Sequence, residues 1–115
     1  MKRLLSLLVA ILVAAPLLAA PIKVFDGATA EAGASQVYDT QGAWKLSVQA
    51  CGTGFSGVVY VNQGEAPNAL TPTKTLTLTD YGDCSEYYLL DPSSYTQVSY
   101  SRTAGALTVY LGVFR

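Results

Sequence analysis

Strict alternation of apolar and polar residues is the feature that most constrains this chain. AWKLSVQA (43–50) sets Trp44, Leu46, Val48 and Ala50 on one side, with Lys45, Ser47 and Gln49 on the other. LTVYLGVF (107–114) does the same with Leu107, Val109, Leu111 and Val113. A helix would need a period near 3.6, whereas a period of two describes strands with one face buried. KTLTLTD (74–80) alternates Leu76 and Leu78 with threonines, QVSYSR (97–102) alternates again, and GVVYVNQG (57–64) is a β-branched run ending in turn residues. IKVF (22–25), QVY (36–38) and EYYLL (86–90) are shorter strand candidates. Turn signals separate these segments: Pro67 and Pro72 in APNALTP (66–72), DPSSY (91–95), and Ala104-Gly105-Ala106, which makes the last two strands a hairpin. The pattern predicts one all-β domain, an antiparallel β-sandwich of jelly-roll or immunoglobulin-like type, with about seven or eight short strands. Trp44 falls on the apolar side of its strand and is expected in the core.

Before the first strand, MKRLLSLLVAILVAAPLLAA reads as a secretory signal peptide: two basic residues, Lys2 and Arg3, then an apolar run from Leu4 to Ala20 ending in small residues. The alternative is a retained anchor, since a run of this length sits at the lower edge of what spans a bilayer. On the signal reading, membrane contact is confined to residues 1–20, residues 21–35 form a flexible arm, and residues 36–115 form the sandwich. DGATAEAGAS (26–35), made largely of small residues, is the reason for placing the arm outside the domain.

Export has consequences for charge and sulfur. Removing residues 1–20 takes two of the seven basic residues and none of the eight acidic ones, so five basic against eight acidic remain, a formal charge of −3. That surface offers no basic footprint for nucleic acid. Cys51 and Cys84, the only cysteines, both lie in the exported part and are expected to form a disulfide. Closing that loop stabilises the fold by about 3–4 kcal/mol in the chain-entropy picture.

Catalysis finds little material here. The chain has no histidine, which removes Ser-His-Asp and Cys-His chemistry and the usual zinc sites. Oxidised cysteines leave no thiolate, and a domain of this size has little bulk with which to hold one carboxyl of a pair protonated. The expectation is a non-enzymatic protein without a cofactor.

The stretch that draws attention is TDYGDCSEYY (79–88). Asp80, Asp83 and Glu86 are hard oxygen donors of the kind calcium takes, although their spacing matches no calcium loop. Asp80-Tyr81-Gly82-Asp83 equally supplies turn-forming residues after a strand, with Cys84 fixing the turn to the end of the Trp44 strand. The stapled turn is the preferred reading and calcium the alternative. Tyr81, Tyr87, Tyr88 and Tyr95 cluster nearby and are candidates for packing, for a protein interface, or for stacking on a sugar with the neighbouring carboxylates. Arg102 and Arg115 read as solvated surface charges.

YTQVSYSRTAGALTVYLGVF (95–114) resembles the closing hairpin of small β-sandwich structural proteins of bacteriophage particles. GAWKLSVQA (42–50) followed by SGVVYVNQG (56–64) is similar to their opening strand pair. The resemblance implies a structural or adhesive subunit without catalytic residues. A signal peptide and a disulfide depart from proteins assembled in the cytoplasm, and fit a secreted surface protein or a coat or filament subunit assembled through a membrane. Strand faces rich in Thr, Ser and Tyr, with charged residues only 13% of the chain, suit packing against copies of itself or another surface protein. A carbohydrate-binding module using Tyr81, Tyr87 and Tyr88 is the second expectation.

Overall fold

The computed structural model describes residues 21–115, and residues 1–20, read from the sequence as a signal peptide, lie outside them. Seven strands follow in order: β1 (Ile22–Ala28), β2 (Ala32–Ala34), β3 (Tyr38–Asp39), β4 (Lys45–Gly64), β5 (Thr71–Tyr81), β6 (Tyr88–Leu90) and β7 (Tyr95–Phe114). All pairings are antiparallel and join them into a single sheet. No helix long and apolar enough to cross a membrane occurs among the described residues.

Two strands of 20 residues, β4 and β7, pair along their whole length and form the spine of the sheet. The sequence predicts four strands here, with a break after Ala50 and a hairpin at Ala104-Gly105-Ala106. Both breaks are bends instead. Gly54 (φ 61°) and Gly105 (φ 76°) take left-handed backbone, and the β4–β7 register shifts between Thr53 and Ser56 and again between Ser56 and Gly57. These irregularities are bulges, which kink a strand without ending its ladder. Each long strand therefore changes the parity of its buried residues across the bend. In β4, Leu46, Val48 and Ala50 are buried before it, and Phe55, Val59 and Val61 after it. In β7 the set passes from Thr96, Val98 and Tyr100 to Leu107, Val109 and Leu111. The paired shift keeps the apolar side chains of both halves facing one core.

The sheet folds over on itself at this bend. Fully extended, a 20-residue strand would span roughly 65 Å. Yet Asp39, which pairs with Tyr95 at the start of β7, accepts a 2.9 Å hydrogen bond from Arg115 Nη2, just past its end. The core accordingly mixes Val48 and Ala50 from one half with Val59, Val61, Val98 and Tyr100 from the other. The result is sandwich-like, but its two layers are one continuous sheet, where the jelly-roll or immunoglobulin-like expectation had two.

Short strands cover both flanks of the spine. Along β7, β3 covers residues 95–96, β2 covers 99–101 and β1 covers 107–111. Along β4, β6 covers residues 46–48 and β5 covers 55–63. Part of residues 21–35, expected as an arm, is thus a component of the sheet. Its small residues have a packing reason: Gly33 pairs with Tyr100, and a Cβ at Gly33 would lie 2.6 Å from Tyr100 Cε1. Phe25 completes the fit edge-on to the Tyr100 ring, at 4.8 Å between centroids.

Candidate interaction face

Inside the first half of the spine, Leu46 and Val48 meet Leu90 and Tyr88 across the β4–β6 pair. Alternation then turns Lys45, Ser47, Gln49 and Leu89 outward. On the β7 side, Lys45 pairs with Phe114, Ser47 with Gly112 and Gln49 with Tyr110. The outer face is therefore built in rows. Leu89, Ser47 and Gly112 form its middle; Asp91, Lys45 and Phe114 lie to one side; Tyr110 and Lys23 lie to the other, with Tyr87 following the parity of Leu89. Each outer row holds a contact of its own: Lys45 Nζ lies 3.1 Å from Asp91 Oδ1, and Lys23 Nζ 5.8 Å from the Tyr110 ring centroid.

This face carries the large apolar side chains that water reaches most. Trp44 is 67% exposed, Leu89 63% and Tyr87 61%, while Phe114 and Tyr110 are half-buried. Ser47 and Gly112 leave the middle of the face low; a Cβ on Gly112 would meet Ser47 Oγ at 2.3 Å. Trp44 is a correction to the sequence reading. Its parity matches Leu46, but it stands just before β4 begins and packs at 5.9 Å against Phe114 instead of entering the core. The rows carry Lys23, Lys45 and Asp91, and Asp26 Oδ1 lies 3.8 Å from Lys23 Nζ.

The outer face of the second half is different in kind. Val58, Tyr60 and Asn62 of β4 pair with Ser101, Ser99 and Gln97 of β7, and with Thr77, Thr75 and Pro72 of β5. Asn62 Nδ2 donates to Ser99 Oγ at 3.0 Å. Hydroxyls and amides dominate this side, as the Thr- and Ser-rich strands predict.

The TDYGDCSEYY stretch is a stapled turn. Cys51 and Cys84 are joined by a disulfide. On either side of it, Gly52 N–H donates to Asp83 O (2.9 Å) and Ser85 N–H donates to Ala50 O (2.8 Å). Ser85 Oγ also accepts from Ala50 N–H, and Gln49 Nε2 donates to Ser85 O. The turn fills the gap on the flank of β4 between β6 and β5. Asp83 Oδ1 is occupied by the Cys84 N–H at 2.8 Å, and Asp80 has φ 46° with its N–H donated to Ser56 Oγ. Among the described residues no three of His, Cys, Asp and Glu gather to hold a metal, so Asp80, Asp83 and Glu86 do not converge as a calcium site.

Nor do the four tyrosines share a surface. Tyr81 pairs with Phe55 beside the bend, whereas Tyr95 pairs with Gly64 at the far end of β4. Tyr87 and Tyr88, adjacent in sequence, face opposite sides: Tyr87 is exposed, and Tyr88 packs on the core with Lys74 Nζ 4.5 Å from its ring centroid. Tyr95 accepts a hydrogen bond from Gln41 Nε2 at 3.2 Å. Both arginines also bond backbone. The half-buried Arg102 donates its Nε–H to Gly105 O across the bend, while Arg115, exposed at the surface as expected, donates to Gln41 O and Asp39 O. Guanidinium geometry suits this role, but no local sequence signal marks it.

Opposite the bend, the loops joining the strands enclose two adjoining open recesses that share Pro92 and Ser93. One, about 340 Å³, is lined by Thr40, Gln41, Glu65 and Ser94 among others; the second, about 430 Å³, by Gln63, Thr73 and Leu89–Asp91. Buried Gln63 stands between the layers, donating to Asp91 O (3.0 Å) and accepting from Thr73 Oγ1. Buried Thr40 donates to Ser93 O (2.6 Å), so its 3.0 Å contact with Thr96 takes the Thr96 hydroxyl proton.

No family model matches the chain, and no curated protein matches it. Among solved structures, the fold is similar to the PBSX exported protein XepA, with a TM-score of 0.57 at 16% identity over 84% of this chain. The chain spans about a third of XepA, 35% of its length. It is also similar to the SPBc2 prophage-derived protein YomS, with a TM-score of 0.58 at 14% identity, covering 83% of this chain and 91% of YomS. The resemblance to β-proteins of phage origin therefore holds at the level of fold.

Proposed function

We propose that this chain is an exported, non-catalytic assembly subunit that packs against copies of itself or another surface protein. The observation that carries this reading is the outer face of the first half. There Trp44, Tyr87 and Leu89, each more than 60% exposed, flank half-buried Phe114 and Tyr110 around a low centre of Ser47 and Gly112. Large aromatic and aliphatic side chains this exposed, set about a low centre, are a docking feature. Export is supported by the basic-then-apolar N-terminus and by the Cys51–Cys84 disulfide, which belongs to an oxidising compartment.

The test is sedimentation velocity and electron microscopy on the secreted protein across a wide concentration range. Reversible association that is weakened in the Trp44→Ser, Leu89→Ser double variant is the expected result. A monomer at every concentration, with no partner bound and no change in the variant, overturns the proposal.

A glycan-binding module remains as a second reading, now on different residues. The adjoining recesses opposite the bend present Thr40, Gln41, Glu65, Ser94 and Asp91 beside exposed Leu89, a set of hydroxyl, amide and carboxylate groups suited to sugar hydroxyls. A glycan array without hits, together with no chemical-shift change at these residues on adding oligosaccharide, ends that reading.

A further inference from the structure

β5 is an edge strand: β4 pairs with one side of it, and among the described residues no strand pairs with the other. An open edge of this length exposes a row of unpaired backbone groups that another strand can meet. The remaining edges are poor templates. β6 and β2 have three residues each, β3 has two, and the register of β1 against β7 shifts twice. In β5, Lys74–Leu78 runs in unbroken register with Val61–Gly57, and the irregularities lie outside it, towards Pro72 at one end and Asp80 at the other.

The side chains of this edge are self-complementary. Lys74-Thr75-Leu76-Thr77-Leu78-Thr79-Asp80 reads the same in both directions about Thr77, except that its ends carry opposite charges. We infer that two copies of the chain join through their β5 edges, antiparallel, on a two-fold axis at Thr77. In that register Thr77 meets Thr77, Leu76 meets Leu78 and Thr75 meets Thr79. Each Lys74 comes to the end of the second copy's strand that carries Asp80, so opposite charges approach at both ends of the contact and no like charges face one another. A slip of two residues removes both pairings of opposite charge and sets Leu76 against Asp80 in one direction or Leu78 against Lys74 in the other. The same two groups thereby select the register. Thr75, Thr77 and Thr79 are exposed, so the β-branched side chains that would pair across the axis are free to do so.

This inference deepens the assembly reading and rests on it, adding the site and symmetry of one contact. Opposed residues of an antiparallel pair hold their Cβ atoms about 4.5–5.5 Å apart, within reach of a disulfide or a short thiol linker. Three single-cysteine variants test it on the secreted protein, with the Cys51–Cys84 bridge confirmed by mass and folding by circular dichroism. Thr77→Cys lies on the axis and is expected to cross-link with itself. Thr75→Cys alone and Thr79→Cys alone are expected to remain monomeric on denaturing gels, and an equal mixture of the two is expected to give a cross-linked dimer. If wild-type protein associates in sedimentation but Thr77→Cys cross-links no better than Thr75→Cys, the β5 contact is wrong and the assembly reading stands. If wild-type protein does not associate, the β5 contact falls, and the assembly reading falls with it when no other surface protein is bound either.

Discussion

A single methyl group at Gly105 tests the bend on which the whole fold turns. Gly105 has φ 76°, and a Cβ built there would lie 2.2 Å from Gly54 O, 2.3 Å from Gly54 C and 2.6 Å from Phe55 N. Two costs follow in Gly105→Ala. Left-handed backbone costs an alanine about 1–2 kcal/mol. Backbone that cannot rotate aside must also move by about an ångström, and it carries Phe55, which is fully buried; forced displacements of this kind in packed cores cost about 1–3 kcal/mol. The sum, about 2–5 kcal/mol, is a large share of the roughly 5–15 kcal/mol that holds a small domain together.

The neighbouring glycine separates the two costs. Gly54 has nearly the same dihedral, φ 61°, but its added Cβ would meet nothing nearer than Asp80 Oδ1 at 3.8 Å. Gly54→Ala should therefore lose only the conformational part. Urea unfolding followed by circular dichroism reads the difference: with a slope of about 1–2 kcal/mol per M, Gly105→Ala should lower the midpoint by about 1–5 M. Gly54→Ala should lie between it and the wild type. Equal midpoints for the two variants would refute the claim that a close backbone crossing, and not glycine's dihedral freedom alone, makes the bend.

Other consequences are quicker to check. Replacing both Cys51 and Cys84 with serine opens a loop with a sequence separation of 33 residues and should cost about 3–4 kcal/mol in the same unfolding assay, with no alkylatable thiol in the native wild type. Trp44→Ser should change stability by less than about 1 kcal/mol, while Leu107→Ala, at a fully buried position, should cost about 2–5 kcal/mol. Tryptophan emission should be red-shifted and readily quenched by iodide, since Trp44 is the only tryptophan and stands mostly in water. Gln63→Ala removes the side chain that bridges Thr73 and Asp91 between the layers, and should cost about 1–3 kcal/mol, with faster amide exchange at the end of β5.

How much of this was legible in the chain depends on the range of the interaction concerned. Alternation is local, and it correctly places Leu46, Val48 and Ala50, and Leu107, Val109 and Leu111, in the core, although Ser47 on the outer side is buried as well, beside Gly112. The disulfide was legible for a similar reason, since two cysteines in a segment read as exported leave one pairing. The continuity of β4 and β7 was not. Ala104-Gly105-Ala106 has the composition of a tight turn, and only the partner strand decides between a turn and a bulge: β4 kinks at Gly54, opposite it, so the ladder carries on. One signal did exist. The buried parity reverses in both long segments across these glycines, and a paired reversal is what a bent ladder needs, whereas two independent hairpins need no such match. Trp44 marks the other limit. Its parity is that of the core, but burial depends on what lies across from a residue, and beyond the first residue of β4 that layer ends. The site follows the same rule. Tyr87 and Tyr88 look like one cluster in sequence, yet once EYYLL is a strand they must face opposite ways, so the exposed face draws its remaining aromatics from Phe114 and Tyr110, across the sheet and far along the chain.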